Sequence, residues 1–252
     1  MARRNIIRVL GVPGIPLIDE DCDLVQAILS AISTSGIQLI DGDILVLAQT
    51  VISKSEGRVV HKDSVEVSPR AKEIADVNGF DPVHVELALR ESRKVLRTDG
   101  VLITENLNGL VCNFSGVDRS NAPEGYFVLL PEDPDNSARR ILEEMESRTG
   151  LALAVVITDT QGRPWRKGSI NIAIGCAGIN AFKHNRGLED LYGRIMQRST
   201  VCQVDEIASA VEPIMGQGAE GIPLVIIRGY DYETGPERGS DIPRPEDEDL
   251  FR

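Results

Sequence analysis

The chain has 252 residues, 42% hydrophobic and only 4% aromatic, which allows a sizeable core built from Val, Ile, Leu and Ala. Its net charge of −12 and sequence pI of about 4.8 disfavour non-specific nucleic-acid binding. No stretch reaches the ~18 consecutive apolar residues of a membrane span. No long apolar segment follows the basic start MARRN, so a cytoplasmic protein without signal peptide, membrane or nucleic-acid partner is expected.

In chain order, GVPGIPLI (11–18) reads as a loop stiffened by its prolines. Leu24, Ile28, Leu29 and Ile32 share one helical face. Residues 44–48, ILVLA, read as a buried strand, followed by the polar segment QTVISKSEGR. Ser68-Pro69, Asp81-Pro82 and Asp133-Pro134 each pair a capping side chain with a proline at the first helical position, and Gly150 is placed to end the third helix. LALAVVI (151–157) is apolar throughout and predicts a central strand covered on both faces. Residues 172–174 and 223–228 are further strands, and 205–211 is helical until Pro213 kinks or ends it. The acidic, proline-rich tail RGSDIPRPEDEDLFR is linker-like or docks as an arm. Strands and helices mix without strict alternation, which predicts an α+β fold.

Cys22, Cys112, Cys176 and Cys202 form no CxxC pair and approach no histidine at zinc-ligand spacing, so reduced thiols are expected. His61, His84 and His184 match no catalytic pattern, and His84 reads as a surface residue.

Chemistry concentrates in a few segments. Asp159, within Thr158-Asp159-Thr160, follows a buried strand where open sheets place ligands, and its oxygens suit Mg²⁺ or Mn²⁺. Alone, a turn residue explains it as well. The next segment packs Arg163, Arg166 and Lys167 into five positions between glycines, a loop suited to phosphate or carboxylate recognition, with a solvated basic turn as the alternative. We expect these cations to hold substrate anions. Trp165 between them stacks on a flat ring or packs at an interface. Asp118 and Asn121 lie three apart, on one helical turn or in a polar loop. Gly216, Gly218 and Gly221 fall within six residues and let backbone N–H groups approach an anion. Lys54 could reach a triphosphate or be an ordinary surface lysine.

Together these segments resemble the F-420 glutamyl ligase family. The matching stretches are GVPGIPLI, DGDILVLAQTVISKSEGR, NFSGVDRSN, VVITDTQGRPWRKG, DLYGR (190–194) and VDEIASAVEPIMGQGAEGIPLVIIRG, in the family's order over nearly the whole chain. The resemblance implies GTP-dependent ligation of L-glutamate to coenzyme F-420-0 through an acyl phosphate, with a second glutamate following by γ-linkage. It implies two divalent cations (Mg²⁺ or Mn²⁺) and a monovalent K⁺. Asp118 and Asp159 are then the catalytic carboxylates and ligands of one divalent ion, Thr160 and Gln217 ligands of the second. The nucleotide-contacting positions become Ile15, Pro16, Leu17, Ile18, Gln49, Thr50, Lys54, Asn121, Met215, Gly216, Gln217, Gly218, Ala219, Glu220, Gly221 and Ile222. The implied architecture is two mixed α/β lobes with the active site in a cleft, in an intertwined homodimer. The expected boundaries are 1–80 plus 203–252 for the first lobe and 81–202 for the second. The alternatives are a ligase of the same chemistry acting on a different phospho-acid, or a non-catalytic nucleotide- or flavin-binding protein.

Overall fold

The structure, a computed structural model, describes residues 6–251; the basic residues 1–5 fall outside that range. Strand β1 (Arg8–Gly11) leads to helix α1 (Leu24–Thr34), strand β2 (Ile44–Ala48), helix α2 (Gln49–Ser55) and strand β3 (Val59–His61). Helices α3 (Pro69–Asn78) and α4 (Pro82–Arg90) precede strands β4 (Ser92–Arg97), β5 (Ile103–Asn106), β6 (Val111–Asn113) and β7 (Tyr126–Val128). Helix α5 (Pro134–Thr149), the hairpin β8 (Ala154–Arg163) and β9 (Arg166–Ala177), and strands β10 (Phe182–His184) and β11 (Thr200–Cys202) follow, then helix α6 (Gln203–Met215) and strand β12 (Leu224–Arg228).

The proline-led helices start where the sequence places them. Ser68, Asp81 and Asp133 accept hydrogen bonds from Ala71 N, Val83 N and Asn136 N, relieving donors that the first helical turn leaves unpaired. Gly150 adopts φ 71° and gives its N–H to Glu146, which closes α5.

A five-stranded sheet in the order β1-β12-β2-β8-β9 forms the centre, and only the β2–β8 pairing is parallel. Its apolar strands have no polar face because both faces are covered. Leu45, Leu47, Val155 and Ile157 pack with α1 and α5 through Ile28, Ile141 and Met145. Ile44, Val46, Ala154 and Val156 pack with α6 through Val204, Ile207 and Val211. The sheet thus hydrogen-bonds strands from both stretches that the sequence assigned to separate lobes. Next to β2, the buried Asp43 carboxylate accepts from Arg228 Nε at 2.8 Å and Nη2 at 2.6 Å, tying the start of β2 to the end of β12.

Residues 59–128 form a second region, in which β3 pairs with β7 and β4-β5-β6 make an antiparallel sheet. Its smaller core contains Ala71, Ala75, Val85, Ala88 and Leu102. The mixed helices and sheets bear out the α+β class.

Several local expectations change. The polar segment after β2 is helical: Gln49 and Ser53, one turn apart, are buried and satisfy each other at 2.8 Å, while Ile52 fills the core. The central strand runs six residues past Ile157, carried by its hairpin partner β9. Helix α6 ends at Met215, two residues after Pro213. His84 is half-buried rather than a surface residue, because it stacks on Phe114 (4.1 Å between ring centroids) and bonds Val117 O at 2.8 Å.

Candidate active site

The site begins where the parallel pairing stops. Strand β2 ends at Ala48, opposite Thr158, so from Asp159 onward β8 is paired through β9 alone. Side chains alternate along a strand. Asp159 and Gln161 therefore continue the face of Val155 and Ile157, and Thr158 and Thr160 continue the α6 face. On the first face, Gln161 Nε2 bonds Val111 O at 2.7 Å and anchors β6 against β8. Burial pushes Asp159 up to about 7, against an opposing bond from the Thr160 N–H and with a smaller push from the like charge of Asp118. Burial and Asp159 together push the neighbouring Cys112 thiol up to about 12. Asp118 lies 41 residues earlier in the chain.

Asp118 sits in a polar loop, the second of the two arrangements its spacing allowed. The loop is fixed by NFSG. Phe114 and Ser115 take φ 47° and 56°, a region that costs non-glycine residues energy. The buried Ser115 hydroxyl meets Thr104 Oγ1 at 2.8 Å and Ala88 O at 2.7 Å, holding that turn. A Cβ on Gly116 would stand 2.5 Å from Leu130 Cδ1. Asp118 then exchanges backbone bonds with Val128 at 2.9 and 2.8 Å. Its carboxylate accepts from the N–H groups of Arg119 (2.6 Å) and Ser120 (3.0 Å) and from the Ser120 hydroxyl. No Lys, Arg or His forms an ion pair with Asp118 or Asp159 among the described residues.

A cavity of about 190 Å³ adjoins the end of β2. Ile15 to Ile18, Thr50, Lys54, Asn121, Met215, Gly216, Gly218, Gly221 and Ile222 line it, joining four segments spread along the chain. The Lys54 ammonium bonds the Asn121 carbonyl across the cavity, and burial lowers its pKa. Gly216 and Gly221 take φ 71° and 67°, and the Glu220 carboxylate curls back onto Gly218 N at 2.8 Å. Gln49, turned to Ser53, and Gln217, Ala219 and Glu220 do not line this cavity.

The sequence profile of the family described as F420-0:Gamma-glutamyl ligase matches residues 14–229. The chain belongs to this ligase family. It is 41% identical over 249 residues to the coenzyme F420:L-glutamate ligase of Methanothermobacter thermautotrophicus, covering 98% of this chain and 99% of that one. Identity is 44% over 213 residues to the Methanocaldococcus jannaschii protein of the same name, covering 84% and 85% of the two chains. With the Archaeoglobus fulgidus protein, also so named, it is 40% over 246 residues, covering 98% and 96%.

In this member of the F420-0:gamma-glutamyl ligase family, the α6 face of β8 carries a second oxygen cluster. Thr160 Oγ1 lies 2.8 Å from Gln217 Oε1 and 3.0 Å from Asn171 Oδ1, so one hydroxyl hydrogen serves two acceptors. Thr158 Oγ1, on the same face, is buried with no partner among the described residues. No group of three or more His, Cys, Asp or Glu side chains gathers at metal-binding spacing among the described residues. The donors present are two carboxylates without counter-cations and a set of hydroxyl and amide oxygens, which fits hard cations such as Mg²⁺ or Mn²⁺. Asn171 escaped the sequence reading. An Asn inside the apolar strand INIAI, where a buried amide needs partners, was the available signal.

Arg163, Arg166 and Lys167 flank the two-residue tip of the β8–β9 hairpin, with Arg163 paired to Arg166. Arg163 braces that tip through the carbonyls of Gly168 (3.1 Å) and Lys167 (3.0 Å), while Arg166 and Lys167 are exposed. Trp165 leans on Phe251, with ring centroids 5.2 Å apart.

Proposed function

We propose that the protein ligates L-glutamate to coenzyme F-420-0 at the expense of GTP. The observation that carries this reading is the match to this ligase family over residues 14–229, and the desolvated Asp159, with no ion-pair partner among the described residues, supports it. A carboxylate is a poor acyl donor, and transfer of the γ-phosphoryl group to it creates an acyl phosphate and GDP. Attack by the α-amine of glutamate then forms the amide and releases phosphate. A second glutamate follows through a γ-linkage.

Asp118 and Asp159 hold one divalent ion, and Thr160 and Gln217 hold the second, with K⁺ as a monovalent companion. When bound, these ions offset the charge of the transferring phosphoryl group. The cavity between Ile15–Ile18, Lys54 and the Met215–Ile222 loop takes the nucleotide. Lys54, desolvated and aimed across it, meets the phosphates. The Gly218 N–H, now given to the Glu220 carboxylate, is a donor already serving an anion. Asn171 holds Thr160 and Gln217 in place. Arg163, Arg166 and Lys167 meet substrate anions, either the acceptor's phosphodiester or the carboxylates of glutamate. The working form is an intertwined homodimer of two-lobed subunits with the site in a cleft.

The test is to incubate the protein with F-420-0, GTP, Mn²⁺ and glutamate and to weigh the product. A mass gain of one or two glutamyl residues that requires GTP is expected. Product formed equally well with ATP removes the nucleotide assignment, and no product with F-420-0 but ligation of another phospho-acid moves the acceptor.

A further inference from the structure

A second cavity, of about 470 Å³, shares no lining residue with the nucleotide cavity. Gln161, two residues past Asp159 on the same face of β8, lines it. Two strand irregularities feed it. The β4–β5 register shifts between Ser92 and Lys94, leaving Arg93 as the extra residue, and the β8–β9 register shifts opposite Ile157 and Thr158, leaving Ile174 as the extra residue. Both line the cavity, and bulges of this kind re-aim side chains beside functional sites.

The remaining wall is the segment Arg238–Pro243, held down by design of the packing rather than by chance contact. The buried Asp135 carboxylate accepts from Cys176 N (2.9 Å), Gly239 N (2.8 Å) and Ser240 N (3.0 Å), joining α5, β9 and the C-terminal segment at one point. A Cβ on Gly239 would meet Gly175 Cα at 2.7 Å, so the two backbones touch. Farther on, Glu246 pairs with Lys94 of β4. Four acids also line it: Asp133 accepts from Asn136 N, Asp135 as above, Asp205 accepts from Ala173 N, and Glu132 lies 3.4 Å from Arg58. Arg93 and Arg238 form no ion pair among the described residues.

We propose that this cavity is the acceptor subsite: it takes an organic acid with a flat ring and a phosphodiester, the ring against Leu107, Ile174 and Ile242 and the phosphodiester at Arg93 and Arg238. The assignment rests on the ligase reading above, and it leaves Arg163, Arg166 and Lys167 to the glutamate. The volume falls in the roughly 300–1,000 Å³ range of sites for drug-sized ligands, more room than a single amino acid fills. An apolar wall with a few convergent cationic groups matches such an acceptor.

The experiment titrates F-420-0 into wild type, R93A/R238A and S240W, with and without GTP, alongside steady-state kinetics and melting curves. Ser240 is exposed and its backbone, not its side chain, holds Asp135, so S240W fills the cavity without disturbing that anchor. Acceptor affinity should fall at least about tenfold in both variants, the loss of one or two charge-assisted contacts, while KM for GTP and glutamate and the Tm stay near wild type. Wild-type acceptor affinity in both variants overturns the cavity and leaves the ligase reading standing if glutamate is still added. Binding that depends on these residues without any ligation keeps the cavity and overturns the ligase reading. Failure of the wild type to bind F-420-0 under either condition overturns both.

Discussion

Two regions of the molecule hold a desolvated aspartate, and they treat it in opposite ways. At one end of the central strands, Asp43 receives a two-pronged guanidinium from Arg228 and the Ile40 N–H at 3.0 Å. At the end of the β2–β8 pairing, Asp159 receives one backbone N–H and no ion-pair partner among the described residues, and burial raises its pKa to about 7. The first arrangement stabilises the fold. The second costs stability, because burial without a partner disfavours the charged form. A chain retains such a site when something outside the chain completes it, so the difference separates structural acids from working ones.

The sharpest way to break this comparison is to neutralise each acid. Asp159→Asn should reduce turnover by roughly 10²–10³-fold or more, as losing electrostatic support of a transition state does. The Tm of the metal-free protein should hold or rise, since a frustrated charge is gone. Asp118→Asn should reduce turnover alike. An Asp159→Asn protein that melts early yet ligates normally would make Asp159 a structural acid like Asp43.

Asp43→Ala should do the reverse. It strands Arg228 beside a buried void, and breaking such a pair costs about 3 kcal/mol or more. For a chain of this size that lowers Tm by roughly 6–12 °C. Calorimetry measures it, and kcat of the folded fraction should change little. A melting temperature near wild type would mean that water replaces the carboxylate beside Arg228.

Lys54→Ala tests the nucleotide side of the comparison. Its ammonium is half-buried and held by Asn121 O, so its charge is directed rather than solvated. Hydrogen bonds to charged groups contribute about 1.5–3 kcal/mol, so KM for GTP should rise roughly 10–100-fold with a smaller effect on KM for glutamate. Equal changes in both would place Lys54 outside the nucleotide cavity.

The same contrast explains what the sequence revealed. Ser68, Asp81 and Asp133 announce helices because capping is local: the accepting side chain and the donor N–H lie two or three residues apart. The apolar runs at 44–48 and 154–157 announce a sheet covered on both faces for the same reason, since burial on each side is written in consecutive residues. Asp159 was legible only by position and resemblance. Its partner Asp118 is brought near by the NFSG turn and the bridge to Val128, long-range features that no window of sequence displays. The extension of β8 past Ile157 was hidden because polar residues there are paired by β9, not selected by a core. Arg93 and Ile174 owe their directions to register shifts between strands, which depend on the partner strand as much as on the residue.

The smallest expected effect concerns Glu86, another buried acid that sides with Asp43. Burial alone would raise its pKa, but bonds from Ser68 N at 3.0 Å and Arg90 Nε at 2.8 Å outweigh it and hold the group below its usual value of 4.5. A depressed carboxyl contributes stability that is fully present above the unfolded pKa and is lost as pH falls through the folded one. Glu86→Gln should therefore cost about 1 kcal/mol at pH 7, or roughly 2–4 °C in Tm. The gap between variant and wild type should close as pH drops below 4.5. Melting curves from pH 7 downward decide it: a gap that widens on acidification would place Glu86 with Asp159, among the acids the fold leaves uncompensated.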